Sequence, residues 1–312
     1  MLPPLFKLQF EGGETSVQKK NRGMIIAFVT PALLFFVATF VYPIIRTIMM
    51  SFFKIDNVTA PMAQWTFSGL ANYQKLLSTP VFMTACTNLL KIWLYGGLIV
   101  MSLALLFAAI LNSGIKGKKF FRAIIYLPNI VSAVALAIMW QQYVYSNQYG
   151  LLKPLAEALG FQWLDTEHKF MSLLIAYCFG MVGYHMLIFL SGIESIGTQY
   201  FEASTIDGAD KIKQFRYITL PLLKGCFKTN ITMWSISTVG FFLWSQLFSA
   251  VTTDTTVITP MVYLYMQTFG SGNSVTERNA GLGAAIGILL SIFVVIVFWV
   301  CNNLFKNDDL EL

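Results

Sequence analysis

Residues 202–221 read Glu202-Ala-Ser-Thr-Ile-Asp207-Gly208-Ala-Asp-Lys-Ile-Lys-Gln-Phe215-Arg-Tyr-Ile-Thr-Leu220-Pro221. Long apolar runs flank this polar stretch. Charged side chains are costly in hydrocarbon, so a segment of this kind between two membrane-length runs sits outside the bilayer. Apolar residues still recur inside it, at Phe201, Ile206, Ala209, Ile212, Phe215 and Ile218. That three- to five-residue spacing predicts helix. Gly208 permits a turn near the middle, and Pro221 closes the second piece. The expectation is two short helices joined by a bend, with an apolar ridge that no lipid covers and that needs a protein partner.

Composition agrees with a membrane setting. Of 312 residues, 56% are hydrophobic and 12% charged, and the mean hydropathy is +0.64. Soluble domains carry about 25% charged residues. The net charge of +6 does not point to nucleic acid, because the basic residues sit in the links between apolar runs. Cys86, Cys178, Cys226 and Cys301 are scattered, with no Cys-x-x-Cys spacing. They read as small apolar side chains.

Six runs are long enough to cross a bilayer, which takes about 20 residues each: 24–45, 89–111, 121–145, 170–192, 226–250 and 282–304. The fold expected is an all-α polytopic membrane protein with six transmembrane helices spanning 24–305. A segment 1–23 precedes them, the loop 201–221 interrupts them, and a tail 306–312 follows. The first run is longer than a signal-peptide core and lacks a small-x-small cleavage site, so it reads as a retained span. Gly180, Gly183 and Gly192 in the fourth run and Gly281, Gly283 and Gly287 in the sixth predict the closest helix packing. Fourteen of the 21 Lys and Arg residues fall on the side that holds Lys7, Lys19, Lys20, Arg22, Lys116–Arg122, Lys211–Lys228 and Lys306. The richer side is cytoplasmic. Both termini and the 202–221 stretch are therefore expected inside. The links 46–88, 146–169 and 251–281, with Trp65, Tyr73, Gln148 and Trp163, are expected outside, on the membrane face or against an external partner.

The chain lacks the residues of an enzyme. No Ser/His/Asp or metal-ligand set can be assembled, and no Gly-x-x-x-x-Gly-Lys-Ser/Thr phosphate loop occurs. A nucleotide drive, if there is one, comes from another chain. His168, beside Glu167, reads as a solvated loop residue. His185 is the one ionisable side chain at membrane depth, which marks it either as a functional residue or as a helix–helix hydrogen bond. No Asp, Glu, Lys or Arg lies at depth, since Lys91 reads as near a span end where it can snorkel. Proton-coupled carriers use buried carboxylates, so this inventory suits a neutral, hydroxyl-rich solute better. In the fifth run Trp234, Ser237, Thr238, Phe241, Trp244 and Ser245 form a stripe of flat rings and hydroxyls. Such a stripe suits a sugar pathway, and it equally suits ordinary helix packing.

The stretch from Glu202 resembles the loop signature of the permease subunits of binding-protein-dependent ABC importers: Glu202-Ala203-Ser204, then Asp207-Gly208-Ala209, then Ile218-Thr219-Leu220-Pro221. Phe215 and the Asp-Gly-Ala form are similar to the carbohydrate-uptake branch, which includes maltose, multiple-sugar and glycerol-phosphate permeases. Pro31 with Tyr42-Pro43, Phe120-Phe121-Arg122, Leu127-Pro128 and Gly281–Gly287 extend the resemblance over most of the chain from about residue 24. It implies the type I importer permease fold, in which the loop docks as a coupling helix on a separate ATPase dimer holding ATP and Mg, with no cofactor in this chain. It also implies a second permease subunit, an external solute-binding protein and a bacterial or archaeal plasma membrane. Glu202, Ala203, Asp207, Gly208, Phe215, Leu220 and Pro221 are the coupling residues it implies. Tyr184, His185, Trp234, Thr238 and Phe241 fall where it implies solute contact, and Ser237, Trp244 and Ser245 extend that pathway. The alternatives are a permease for glycerol phosphate or another small solute, and a stand-alone carrier or channel.

Overall fold

The computed structural model describes residues 14–249, 254–270 and 278–305, with side chains from residue 23 onward. Lys7, the side chains of Lys19, Lys20 and Arg22, Lys306 and the tail 306–312 therefore lie outside the described residues, as do parts of the link 251–281.

The chain is a helical bundle with one small hairpin. α1 (Glu14–Phe36) runs through a wide turn at Val37–Val41 into α2 (Tyr42–Ser51). The strands β1 (Phe53–Lys54) and β2 (Thr66–Phe67) pair antiparallel, Phe53 opposite Phe67, and α3 (Ala71–Ser78) follows. α4 (Pro80–Lys91) continues through Ile92–Gly96 into α5 (Gly97–Asn112). Next come α6 (Lys118–Ile130), α7 (Ala133–Met139), α8 (Lys153–Leu159) and α9 (Lys169–Glu194). The polar stretch supplies α10 (Thr198–Ile206), α11 (Lys211–Gln214) and α12 (Leu220–Leu222). α13 (Lys224–Val239), α14 (Leu243–Phe248), α15 (Pro260–Phe269) and α16 (Ala280–Leu304) complete the chain. The bundle has a hairpin end, carrying β1–β2, and a loop end, carrying α10–α12.

Among the described residues four helical stretches are long and apolar enough to cross a membrane: Gly23–Ser51, Pro80–Asn112, Lys169–Glu194 and Ala280–Leu304. Each outruns or matches its expected span, because mixed segments such as Arg46–Ser51 and Pro80–Asn88 continue the helix beyond the apolar run. Lys91 thus lies 11 residues into a 33-residue helix, over the ring of Phe170. Two expected spans differ. Run 121–145 is a bent pair, α6 and α7, turning by 98° at Val131–Ser132, and counts as a fifth span only if the pair is taken together. Run 226–250 is not one helix: α13 ends at Val239, the chain breaks at Gly240–Phe242, and α14 has only six residues. Asn, Thr and Ser lower the apolar character of α13. Hydroxyls then serve the broken backbone, with Thr259 Oγ1 donating to Phe241 O and Ser245 Oγ to Val257 O. Non-helical backbone at depth survives where other groups satisfy it.

The glycines of the fourth run do make close contacts. A Cβ on Gly183 would lie 2.7 Å from Tyr126 Cα, so α6 and α9 meet backbone to backbone. Gly281 sits against Phe53 O and Met50 O in the same manner. The core is one cluster of Leu173, Leu174, Tyr177, Trp234, Phe241, Ile286 and their neighbours. A second cluster around Phe189, Leu190 and Leu223 continues it toward the loop end. α1 differs from the other long helices α5, α9 and α16, for no described residue between Gly23 and Val41 is buried.

The hairpin-end links are tied inward. Asn72 Nδ2 donates to Ser51 O and Phe53 O, each at 2.9 Å, and Asn279 Nδ2 donates to Asn72 Oδ1 at 3.1 Å. Trp65 Nε1 donates to Ala60 O, Trp163 Nε1 to Leu152 O, and Tyr73 OH to Ser51 Oγ. These aromatics are half-buried. His168 is also less free than its loop position implies: it stacks on Phe161 and its Nδ1 lies 2.8 Å from Asp165 Oδ1. Burial acts to raise the Asp165 carboxyl, but the backbone and ring bonds of His168 prevail and hold it below the usual carboxylate range.

Candidate functional site

The 202–221 stretch folds by local rules. α10 ends at Gly208, which adopts φ +77, a left-handed conformation that glycine takes without a Cβ penalty. Gly208 N donates to Thr205 O and Ala209 N to Ser204 O, the paired bonds of a Schellman end. Asp210 then caps α11, its Oδ1 accepting from Lys213 N at 2.8 Å. Gln214 Nε2 reaches back and donates to Ser204 Oγ and Thr205 Oγ1, both at 3.0 Å, and to Phe201 O at 3.3 Å. That clasp fixes the angle between α10 and α11. Sequence reading missed both Asp210 and Gln214, although an Asp three residues before a backbone donor is a visible cap signal.

Of the expected ridge only Ile206 and Ile212 are bare, with Phe201, Ala209, Phe215 and Ile218 half-buried, and Tyr217 joins them on the surface. Ile206 is 87% exposed, Ile212 78% and Tyr217 71%. Glu202, Ala203, Asp207, Gly208 and Pro221 are exposed, while Phe215 and Leu220 are half-buried. A wide turn at Phe215–Thr219 leads from α11 to α12. Among the described residues neither Glu202 nor Asp207 forms an ion pair, whereas Glu194 is held by Lys118 at 2.6 Å.

Of the eight expected pathway residues, His185, Trp234, Thr238, Phe241 and Trp244 are drawn together, mostly as packing. His185, Trp234, Thr238, Phe241, Trp244 and Ser245 are buried, and Tyr184 and Ser237 half-buried. Trp234 packs over the glycine pair of the second helix: a Cβ on Gly96 would lie 2.9 Å from its ring and one on Gly97 2.8 Å from its Nε1. Its Nε1 donates to Trp93 O at 2.9 Å, and Trp93 Nε1 donates to Ser235 Oγ at 2.8 Å. Tyr177, absent from the sequence reading, lies among Trp234, Phe241 and Trp244, with centroids 5.5, 4.7 and 5.8 Å away. His185 Nδ1 lies 2.7 Å from Asn230 Oδ1, an α9–α13 hydrogen bond, and among the described residues His185 Nε2 and Asn230 Nδ2 have no hydrogen-bond partner. Tyr184 meets the ring of His185 edge-on, with centroids 5.1 Å apart, but is turned outward. It lines an open groove of 560 Å³ with Tyr126, Leu187, Ser191 and Cys226. Among the described residues no three His, Cys, Asp or Glu side chains converge as metal ligands.

A helical bundle of membrane-length helices with a braced, exposed two-helix stretch at one end defines a polytopic membrane transport subunit. The chain belongs to the family of binding-protein-dependent transport system inner membrane components, whose model matches residues 100–306. It is 30% identical to the arabinooligosaccharides transport system permease protein AraP of Bacillus subtilis, over 86% of this chain and 84% of that one. It is likewise 30% identical to the lactose transport system permease protein LacF of Rhizobium radiobacter, over 78% and 82%. Its fold matches a chain of a bacterial alginate ABC transporter, solved in complex with an alginate pentasaccharide-bound periplasmic protein, with a TM-score of 0.77 at 18% identity, covering 94% of this chain and 97% of that one.

Proposed function

We propose that the chain is one permease subunit of an ATP-driven carbohydrate importer, moved by an ATPase dimer that docks on residues 202–221. The observation that carries this reading is the bare ridge of Ile206, Ile212 and Tyr217 on two helices locked by Gly208, Asp210 and Gln214. Exposed apolar residues on a rigid mount fit a permanent protein partner, and the rigid mount transmits force without bending. The coupling set is Glu202, Ala203, Asp207, Gly208, Phe215, Leu220 and Pro221. ATP and Mg bind in the partner chain, and this chain performs no catalysis. The lysine-rich loop end, with Lys116, Lys119, Lys211 and Lys213, faces the cytoplasm together with both termini. A second permease completes the pathway, and an external binding protein delivers solute at the hairpin end.

The names of the arabinooligosaccharide and lactose permeases support a carbohydrate cargo, as does the lack of acidic side chains at depth. In the pathway Tyr184 and Ser237 present their half-exposed sides to solute. His185, Trp234, Thr238, Phe241, Trp244 and Ser245 form the wall behind them.

The test is uptake of labelled oligosaccharide by cells producing the chain with its neighbouring transport genes. Ile206→Asp with Ile212→Asp is expected to abolish ATP-dependent uptake while the chain remains in the membrane fraction. Unchanged uptake would overturn the docking reading.

A further inference from the structure

A cavity of 770 Å³ opens between the loop-end half of α5 and the 202–221 stretch. Leu105, Leu106 and Ala109 of α5 line one side and Ile212 and Phe215 the other, with the exposed Asn112 and Lys211 among the lining residues. α5 ends at Asn112, so at 1.5 Å per residue Leu105 lies about 10 Å deeper. That places the apolar wall within one leaflet of a hydrocarbon core about 30 Å thick, and Leu106 is 52% exposed on it. Among the described residues no carboxylate lines the cavity. Lys211 forms no ion pair among the described residues, and Lys116, Lys119 and Lys213 are further unpaired cations of the same end.

We infer that this cavity holds an acyl chain of an anionic glycerophospholipid, with its phosphate on Lys211. The volume lies in the range of small-ligand sites, about 300–1,000 Å³. An apolar wall beside an exposed lysine is complementary to a lipid anion, and an unpaired lysine beside an anionic leaflet is attracted to it. The bound chain wedges between α5 and α11, so the leaflet itself braces the mount of the exposed ridge. Lys211, Ile212 and Phe215 belong both to this cavity and to the stretch on which the ATPase is proposed to dock, so the lipid is sought on the full chain free of ATPase.

The full chain is placed in nanodiscs of phosphatidylcholine mixed with phosphatidylglycerol that carries a photoreactive acyl chain. In the wild type the label is expected on the peptides holding Leu105–Ala109 and Phe215, a result that needs no variant to fold. Native mass spectrometry is expected to show a retained phosphatidylglycerol. Lys211→Gln should weaken its retention about fivefold, the effect of one lysine near an anionic surface, and Leu106→Trp should remove the label by filling the cavity. Lys75→Gln, at the hairpin end, should change neither. Label confined to other helices, or equal retention of both lipids, would overturn the site.

Discussion

Lys169 Nζ donates to Asp254 Oδ2 across 2.8 Å, joining the start of α9 to the segment between α14 and α15. The two side chains keep only 11% and 10% of their exposure. The same segment is gripped by Asn88, whose Nδ2 lies within 3.2 Å of the carbonyls of Thr255, Thr256 and Ile258. Ser245 Oγ holds Val257 O. Three helices thereby fix a non-helical strap, with Val257, Ile258 and Thr259 buried, at the hairpin end of the bundle. The strap and α14 together take the place of the second half of a straight fifth span.

The pair makes stability depend on pH in a defined direction. Burial acts to raise the Asp254 carboxyl, but the hydrogen bonds from Lys169 and Thr256 outweigh it and hold it below its ordinary value. A lowered carboxylate contributes fully above the unfolded value of about 3.9 and is lost as pH falls through the folded one. Thermal unfolding in detergent is therefore expected to lose part of its stability on acidification below about pH 4. Asp254→Asn should remove that part of the dependence. At neutral pH it should cost about 3 kcal/mol, because Lys169 is left nearly buried and unpaired. The double change Lys169→Met, Asp254→Leu should recover most of the loss. An Asp254→Asn protein with wild-type acid sensitivity would show that other carboxylates set it.

Gly208 is a backbone requirement rather than a packing one. A Cβ there would meet nothing within 4 Å, yet φ is +77. Any L side chain costs about 1–2 kcal/mol in that conformation, and a β-branched one more. Gly208→Val is thus expected to unseat the turn between α10 and α11 without disturbing the bundle. Uptake should fall to background while the amount in the membrane and the melting temperature of the bundle stay near wild type. Gly208→Asn, which tolerates the left-handed region, should retain part of the activity.

The parts of this molecule that follow local rules could be read from the chain. Gly208 and the helices beside it depend on residues within a few positions, and the four long spans announce themselves by length and hydropathy. The α6–α7 bend and the Gly240 break could not be read, because an apolar run says nothing about where tertiary contacts take over from the helical ladder. Lys169–Asp254 and Asn72–Asn279 join residues 85 and 207 positions apart, which no periodicity reveals. Trp234 shows a third kind of gap. A ring-and-hydroxyl stripe has the same composition whether it faces a sugar or a Gly-Gly pair, and only the position of Gly96–Gly97 decides which.

Gln214 is expected to set the rigidity of the coupling mount. Its three acceptors lie on α10, so Gln214→Leu removes every side-chain bond between the two short helices that it makes, at about 1 kcal/mol for each net hydrogen bond lost. The residue is half-buried and outside the bundle core, so global unfolding should barely move. Hydrogen exchange of the α10 and α11 amides should quicken. ATP hydrolysis stimulated by loaded binding protein should drop more than basal hydrolysis does. Exchange unchanged by the substitution would show that Gly208 and Asp210 suffice to hold the angle.

Tyr184 and Trp234 separate solute contact from packing. Trp234 is 2% exposed and fills the space over Gly96 and Gly97, so Trp234→Ala should open a cavity and cost about 3–5 kcal/mol. Any loss of transport in that variant should track the loss of folded protein. Tyr184 borders an open groove, and Tyr184→Ala should leave the melting temperature nearly unchanged. It should raise the concentration of oligosaccharide needed for half-maximal uptake, with the amount of folded permease constant. If instead Trp234→Ala folds normally and alters solute preference, the ring cluster of Tyr177, Trp234, Phe241 and Trp244 opens during transport and touches the cargo itself.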